Sequence, residues 1–169
     1  MVFLPLKYLH FDISHIIFAG KEHTNTYTMK TDYILIRQRD ARLWRDYYNT
    51  RNNWYESHRI FTEKELINHV ITHCQPPYHL TYDYAYRIAK VLLNEHRNPS
   101  VLSLKQQMWY EFAGQVKNYL QRHPNSALET AVSEVLANCR ASRYFISYHT
   151  ARRVINKQKH ANCIFKYRA

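Results

Sequence analysis

The sequence predicts an all-α protein, and three observations predict it. Glycine is almost absent, apolar residues recur at helical spacing, and helix-start signals are followed by segments that end the same helices. Two glycines in 169 residues leave little for the tight turns and close backbone approaches that barrels, sandwiches and phosphate-cradling loops require. Hydrophobic residues make up 46% of the chain, enough to bury a core in one compact domain or two small ones.

The elements follow in chain order. Residues 1–30 read as a weakly structured extension, a short strand plus loop or no fixed structure, and Met29, where regular patterning begins, is an alternative natural start. Across 39–50, Leu43, Trp44, Tyr47 and Tyr48 fall on one side of a helix. Thr62 and Glu65 form a capping box, in which the hydroxyl accepts from a free N–H and the carboxylate reaches back to the cap. That box opens a helix with Leu66, Ile67, Val70, Ile71 and Cys74 inward. Gln75-Pro76-Pro77 ends it, because consecutive prolines cannot continue the hydrogen-bond ladder. Thr81 caps a third helix with Ala85, Ile88, Ala89 and Leu92 inward.

The pattern then runs again. Ser103 and Gln106 form a second box, leading into Trp109, Phe112, Val116 and Leu120, and His123-Pro124-Asn125 breaks that helix. Ser126 and Glu129 read as a third box, opening a helix through Ala131, Val132, Val135, Leu136 and Cys139. Ser147 caps the last helix, with Ala151, Val154 and Ile155 inward. The two runs align at an offset of 65, Trp44 on Trp109, Ile67 on Val132, Val70 on Val135 and Cys74 on Cys139. One inserted residue shifts the offset to 66, and the stretch from Tyr78 to Ile88 then aligns with that from Tyr144 to Val154. Shared caps and apolar positions could arise by convergence, but shared Tyr, Trp, Ala and Arg point to an internal repeat. Two copies are too few for a solenoid.

The expected organisation is a tandem pair of three-helix, helix-turn-helix-like units at 31–97 and 98–157, followed by a basic tail at 158–169. His96-Arg97-Asn98-Pro99-Ser100 is the joint between them. The turn before each third helix is long for a helix-turn-helix. Its aromatic and β-branched residues, Tyr78-His79-Leu80 and Tyr144-Phe145-Ile146, predict short strands that pair with each other and create an intramolecular two-fold.

Charge is distributed unevenly. The formal net charge is +11; residues 1–139 carry sixteen basic and thirteen acidic residues, whereas 140–169 carry eight basic and none acidic. A one-signed block of this kind suits an anionic partner. On the third helices, Asp83, Arg87 and Lys90 in the first copy, and His149, Arg153 and Asn156 in the second, lie opposite the buried side. An outward arginine repeated in both copies has no packing reason to be the same residue. The expected nucleic-acid contacts are Arg140, Arg143, Arg152, Arg153, Asn156, Lys157 and Lys159, with Arg87 and Lys90 as the weaker set. The alternative is that each arginine pairs with a carboxylate on its own unit or covers apolar surface with its stem.

Other chemistries are less well supplied. His69 and His73 stand at i, i+4, but no Glu completes an H-E-x-x-H arrangement and the second copy does not repeat the pair. His73 and Cys74 are neighbours whose side chains diverge by about 100°. The three cysteines, Cys74, Cys139 and Cys163, have no zinc or disulfide spacing. Neither paired carboxylates nor a Ser/His/Asp set stands out, so an enzyme is not expected, nor a cofactor, metal or small-molecule substrate. The absence of 18 consecutive apolar residues predicts no membrane span, and the chain reads as cytoplasmic. The function expected is non-enzymatic binding of nucleic acid, duplex DNA foremost. The other candidate is a helical interaction or structural module whose partner could be a second copy of the chain.

Residues 143–154, and more loosely 78–88, resemble small uncharacterised bacterial and phage-associated proteins in which an aromatic extended stretch leads into a Ser/Thr-capped helix. The resemblance implies a helix-turn-helix-like unit and lends no activity.

Overall fold

The computed structural model describes residues 25–94 and 102–166, and within them the chain forms six helices: α1 (Asn25–Glu56), α2 (Glu63–His73), α3 (Tyr82–Asn94), α4 (Leu104–Arg122), α5 (Leu128–Asn138) and α6 (Tyr148–Lys166). The joint at 96–100 and most of the 1–30 extension lie outside the described residues. The extension's last residues are already helical, since α1 starts at Asn25, well before the amphipathic stretch at 39–50. The basic tail is helical through Lys166, where α6 ends.

Local chemistry accounts for the helix boundaries. Both predicted boxes at Thr62/Glu65 and Ser103/Gln106 are closed in both directions. The Thr81 and Ser147 hydroxyls accept from the N–H groups of Tyr84 and Thr150 at 3.3 and 3.2 Å. The predicted box at Ser126 and Glu129 does not form. Helix α5 is capped by Ala127 without a side-chain bond, and Ala127 is the residue that the offset of 65 places on Thr62. Glu129 instead accepts a hydrogen bond from the Tyr86 hydroxyl at 3.1 Å. Helices α2 and α5 end alike, with Cys74 and Cys139 in extended backbone and their N–H groups donating to the Val70 and Val135 carbonyls.

The helices pack in two trios that do not follow the chain order of the repeats. Helices α1 and α2 pack against α6, and α4 and α5 pack against α3. Each trio therefore takes two helices from one copy of the repeat and the third from the other. One core joins Leu43, Tyr47, Leu66, Ile67 and Val70 to Tyr144, Ala151, Val154 and Ile155. The other joins Phe112, Val116, Ala131, Val132 and Val135 to Tyr78, Ala85 and Ala89.

Extended backbone from Cys74 and Cys139 starts both crossings, and in the first copy two prolines enforce it. A residue preceding proline is pushed out of the helical region into extended backbone, so Gln75-Pro76-Pro77 carries the chain straight on instead of turning it back. The returning segment of the second copy crosses it antiparallel. The Ala141 N–H donates to the Pro76 carbonyl at 2.8 Å, and Pro77 and Arg140 form an antiparallel bridge. In this register the residue opposite Pro76 is Ala141, its equivalent in the repeat, so a local two-fold axis passes between them. The symmetric return bond would need an N–H on residue 76, which proline lacks. The ladder stops at one bridge, and the strands expected at 78–80 and 144–146 do not form among the described residues.

Those residues are used in packing instead. Tyr144 is 3% exposed and its hydroxyl donates to the Asp46 carboxylate at 2.7 Å. Tyr78 is 5% exposed and donates to the Glu111 carboxylate, also at 2.7 Å. Asp46 and Glu111 are themselves equivalent at an offset of 65, so each copy's tyrosine is held by the other copy's acid. Burial, then the bonded carboxylate, raises both phenols well above the ordinary tyrosine range, so both remain protonated donors. The Tyr144 N–H also donates to the Ile71 carbonyl at 3.0 Å, satisfying one of the carbonyls that the end of α2 leaves open.

Candidate nucleic-acid interface

Helix α6 is fixed by the face it buries. With Ala151, Val154 and Ile155 turned into the core, helical geometry places Arg152, Asn156, His149, His160, Arg153 and Lys157 along one outward arc of about 140°. Arg152, Arg153 and Lys157 are exposed and Asn156 is half-exposed. No acidic residue occurs anywhere in α6. The arc carries three fixed positive charges, Arg152, Arg153 and Lys157, with two imidazoles and a neutral amide among them.

Helix α3 is its counterpart across the two-fold. Ala85, Ile88 and Ala89 are buried, and Arg87 and Lys90 are exposed. The Arg87 Nε donates to the Asp83 carbonyl at 3.3 Å within the helix, leaving the end of the guanidinium outward. Asp83 lies on the same outward side and offsets part of the charge. Where α6 presents Arg152, α3 has Tyr86, which is engaged with Glu129.

The remaining predicted residues divide. Arg140 is exposed at the crossing. Arg143 is half-buried; it donates to the Gln107 side chain and its guanidinium stands 5.2 Å from the centre of the Phe145 ring. Lys159 pairs with Glu63 at the start of α2 and lies 5.4 Å from the centre of the Tyr47 ring. Lys159 thus ties α6 to the first copy, whereas Arg143 is held within its own copy against α4. The exposed set is Arg140, Arg152, Arg153 and Lys157 from the second copy, with Arg87 and Lys90 from the first.

The histidine and cysteine candidates have structural settings. His69 and His73 stack with ring centroids 4.4 Å apart, and the His73 Nδ1 lies 2.7 Å from the Thr72 hydroxyl. No group of three or more His, Cys, Asp or Glu side chains is placed to hold a metal among the described residues. Burial, then the charge of Asp46, raises the Cys74 thiol, the reverse of an activated nucleophile. No described helix is long and apolar enough to cross a membrane.

Sequence reasoning missed one feature. Helix α4 begins at Leu104, whose repeat equivalent is Arg39, so residues 25–38 of α1 have no counterpart and form an arm about 20 Å long. On it Tyr33, Ile34 and Ile36 are 61%, 52% and 47% exposed. The signal was the consecutive apolar run Tyr33-Ile34-Leu35-Ile36, which fits no single helix face.

No known protein family, curated protein or solved structure matches the chain.

Proposed function

We propose that the protein binds nucleic acid, duplex DNA foremost, without catalysing a reaction, through a tandem pair of helix-turn-helix-like repeats whose third helices face the ligand. The observation that carries this reading is the stripe on α6, where Arg152, Arg153 and Lys157 are exposed on an acid-free helix. Phosphate contacts need exposed, unneutralised cations on a rigid element, and the inward Ala151, Val154 and Ile155 supply the rigidity. Arg87 and Lys90 on α3 form the lesser set because Asp83 stands among them.

The test is fluorescence anisotropy on long duplex DNA across a salt series. Three or four phosphates neutralised give a log–log slope near −3, and about a 100-fold loss of affinity between 50 and 200 mM salt. Arg153→Ala should weaken binding more than Arg87→Ala and flatten the slope by about one. Absence of binding at low salt would refute the reading.

The second reading is a protein-interaction module, favoured by the exposed Tyr33, Ile34 and Ile36 on the α1 arm. A tight oligomer by light scattering, indifferent to DNA and dispersed by Ile34→Asp, would support it instead.

A further inference from the structure

The exchanged architecture makes a single chain resemble a symmetric dimer, and this bears on the form of its ligand. Three features share the same two-fold: the crossing centred between Pro76 and Ala141, the reciprocal Tyr78–Glu111 and Tyr144–Asp46 bonds, and the two trios related by exchange of α3 and α6. The axis carries α3 onto α6 and Arg87 onto Arg153. Proteins that present two-fold-related helices to duplex DNA read half-sites related by the same symmetry.

The connecting chain bounds their separation. Thr81 is five residues beyond Pro76 and Ser147 six beyond Ala141, so the starts of α3 and α6 stand no more than about 45 Å apart even with both segments fully extended. Adding the turns of helix that lead to Arg87 and Arg153 keeps the two arginine backbones within about 65 Å. Half-sites one helical turn apart, about 35 Å, are within reach; two turns, about 70 Å, are not.

The symmetry is incomplete where it would meet the ligand. His149, Arg152, Arg153 and Lys157 on α6 face positions that α3 fills with Asp83, Tyr86, Arg87 and Val91. Resting on the nucleic-acid reading, we infer that one chain recognises a quasi-palindromic duplex, with two inverted half-sites one helical turn apart, a strong one under α6 and a weak one under α3.

Selection of bound duplexes from a random-sequence pool, using the full chain, tests this, with native mass spectrometry for stoichiometry. The expected product is an inverted pair with centres about 10 base pairs apart, one chain per duplex, and more sequence information in one half than the other. Arg87→Ala should erase preference in the weak half and leave the strong half intact. Arg153→Ala should lower affinity about tenfold or more. Arg153→Lys, which keeps the charge, should retain salt-dependent binding but lose base preference in the strong half. Duplexes retained without an inverted pair, with half-sites two turns apart, or by two chains per site would overturn the inference and leave the nucleic-acid reading standing. If no duplex is retained even at low salt, that reading has failed as well.

Discussion

Tyr144→Phe removes one oxygen from the junction that holds α6 on the first repeat's helices, and its cost can be worked from the geometry. The hydroxyl is buried and donates to Asp46 at 2.7 Å, and the Asp46 side chain is only 12% exposed. A hydrogen bond to a charged acceptor contributes about 1.5–3 kcal/mol. Asp46 keeps its pair with Arg42 at 3.1 Å, so the loss should fall at the lower end, about 1.5–2 kcal/mol. For a chain of 169 residues this lowers Tm by roughly 3–8 °C. The informative assay is a pair of double-mutant cycles by denaturant unfolding. Tyr144→Phe should couple to Asp46→Asn by about 1 kcal/mol or more, and be additive with Glu111→Gln within about 0.5 kcal/mol. Tyr78→Phe should show the opposite pairing. Coupling of Tyr144 to Glu111 would mean that each third helix folds back on its own repeat, and the exchange would be refuted.

Further predictions concern caps and pH. Thr62→Ala and Ser103→Ala each break a closed capping box and should cost about 1 kcal/mol, whereas Ser126→Ala should stay within about 0.5 kcal/mol because Ser126 caps nothing. His79 is half-buried, its Nε2 has no partner among the described residues, and burial, then the charge of Arg39, pushes its pKa down to about 4. A depressed imidazole binds fewer protons folded than unfolded between about pH 6.5 and 4. Stability should therefore be fully present above pH 6.5 and fall by about 1–3 kcal/mol through that window. His79→Phe, which installs the residue found at the equivalent position Phe145, should flatten this slope in urea melts taken from pH 4 to 7.

The helices and most of their caps were legible in the sequence because each is local. Cap residues act within one turn, and apolar spacing reports the buried face directly. The exchange was not legible, for a reason internal to the repeat. Asp46 and Glu111 occupy equivalent positions and either can accept from either tyrosine, so no pairwise chemistry states which copy supplies the partner. The hint lay in Pro76-Pro77, read as a helix terminator, whose extended geometry also sets where the following helix goes. The Ser126 box failed because a motif match was placed one residue away from the register that the repeat itself dictates. Among the candidate interface residues, Arg153 stands outward as the period predicted, Asn156 is only half-exposed, and Arg152 and Lys157 are exposed beside them. The roles of Arg143 and Lys159 depend on Gln107 and Glu63, which are distant in sequence; Gln107 lies in the same copy as Arg143, whereas Glu63 meets Lys159 only through the exchanged packing.

The core, the symmetry and the placement of both outward helices all follow from the exchange. Methyl NOE spectroscopy on the intact chain tests it most directly. NOEs are expected from Ala151, Val154 and Ile155 to Leu66, Ile67 and Val70, and from Ala85 and Ala89 to Val132 and Val135, all within one chain in an isotope-mixed sample. NOEs from Ala151 to Val132 or Val135 would contradict the exchange.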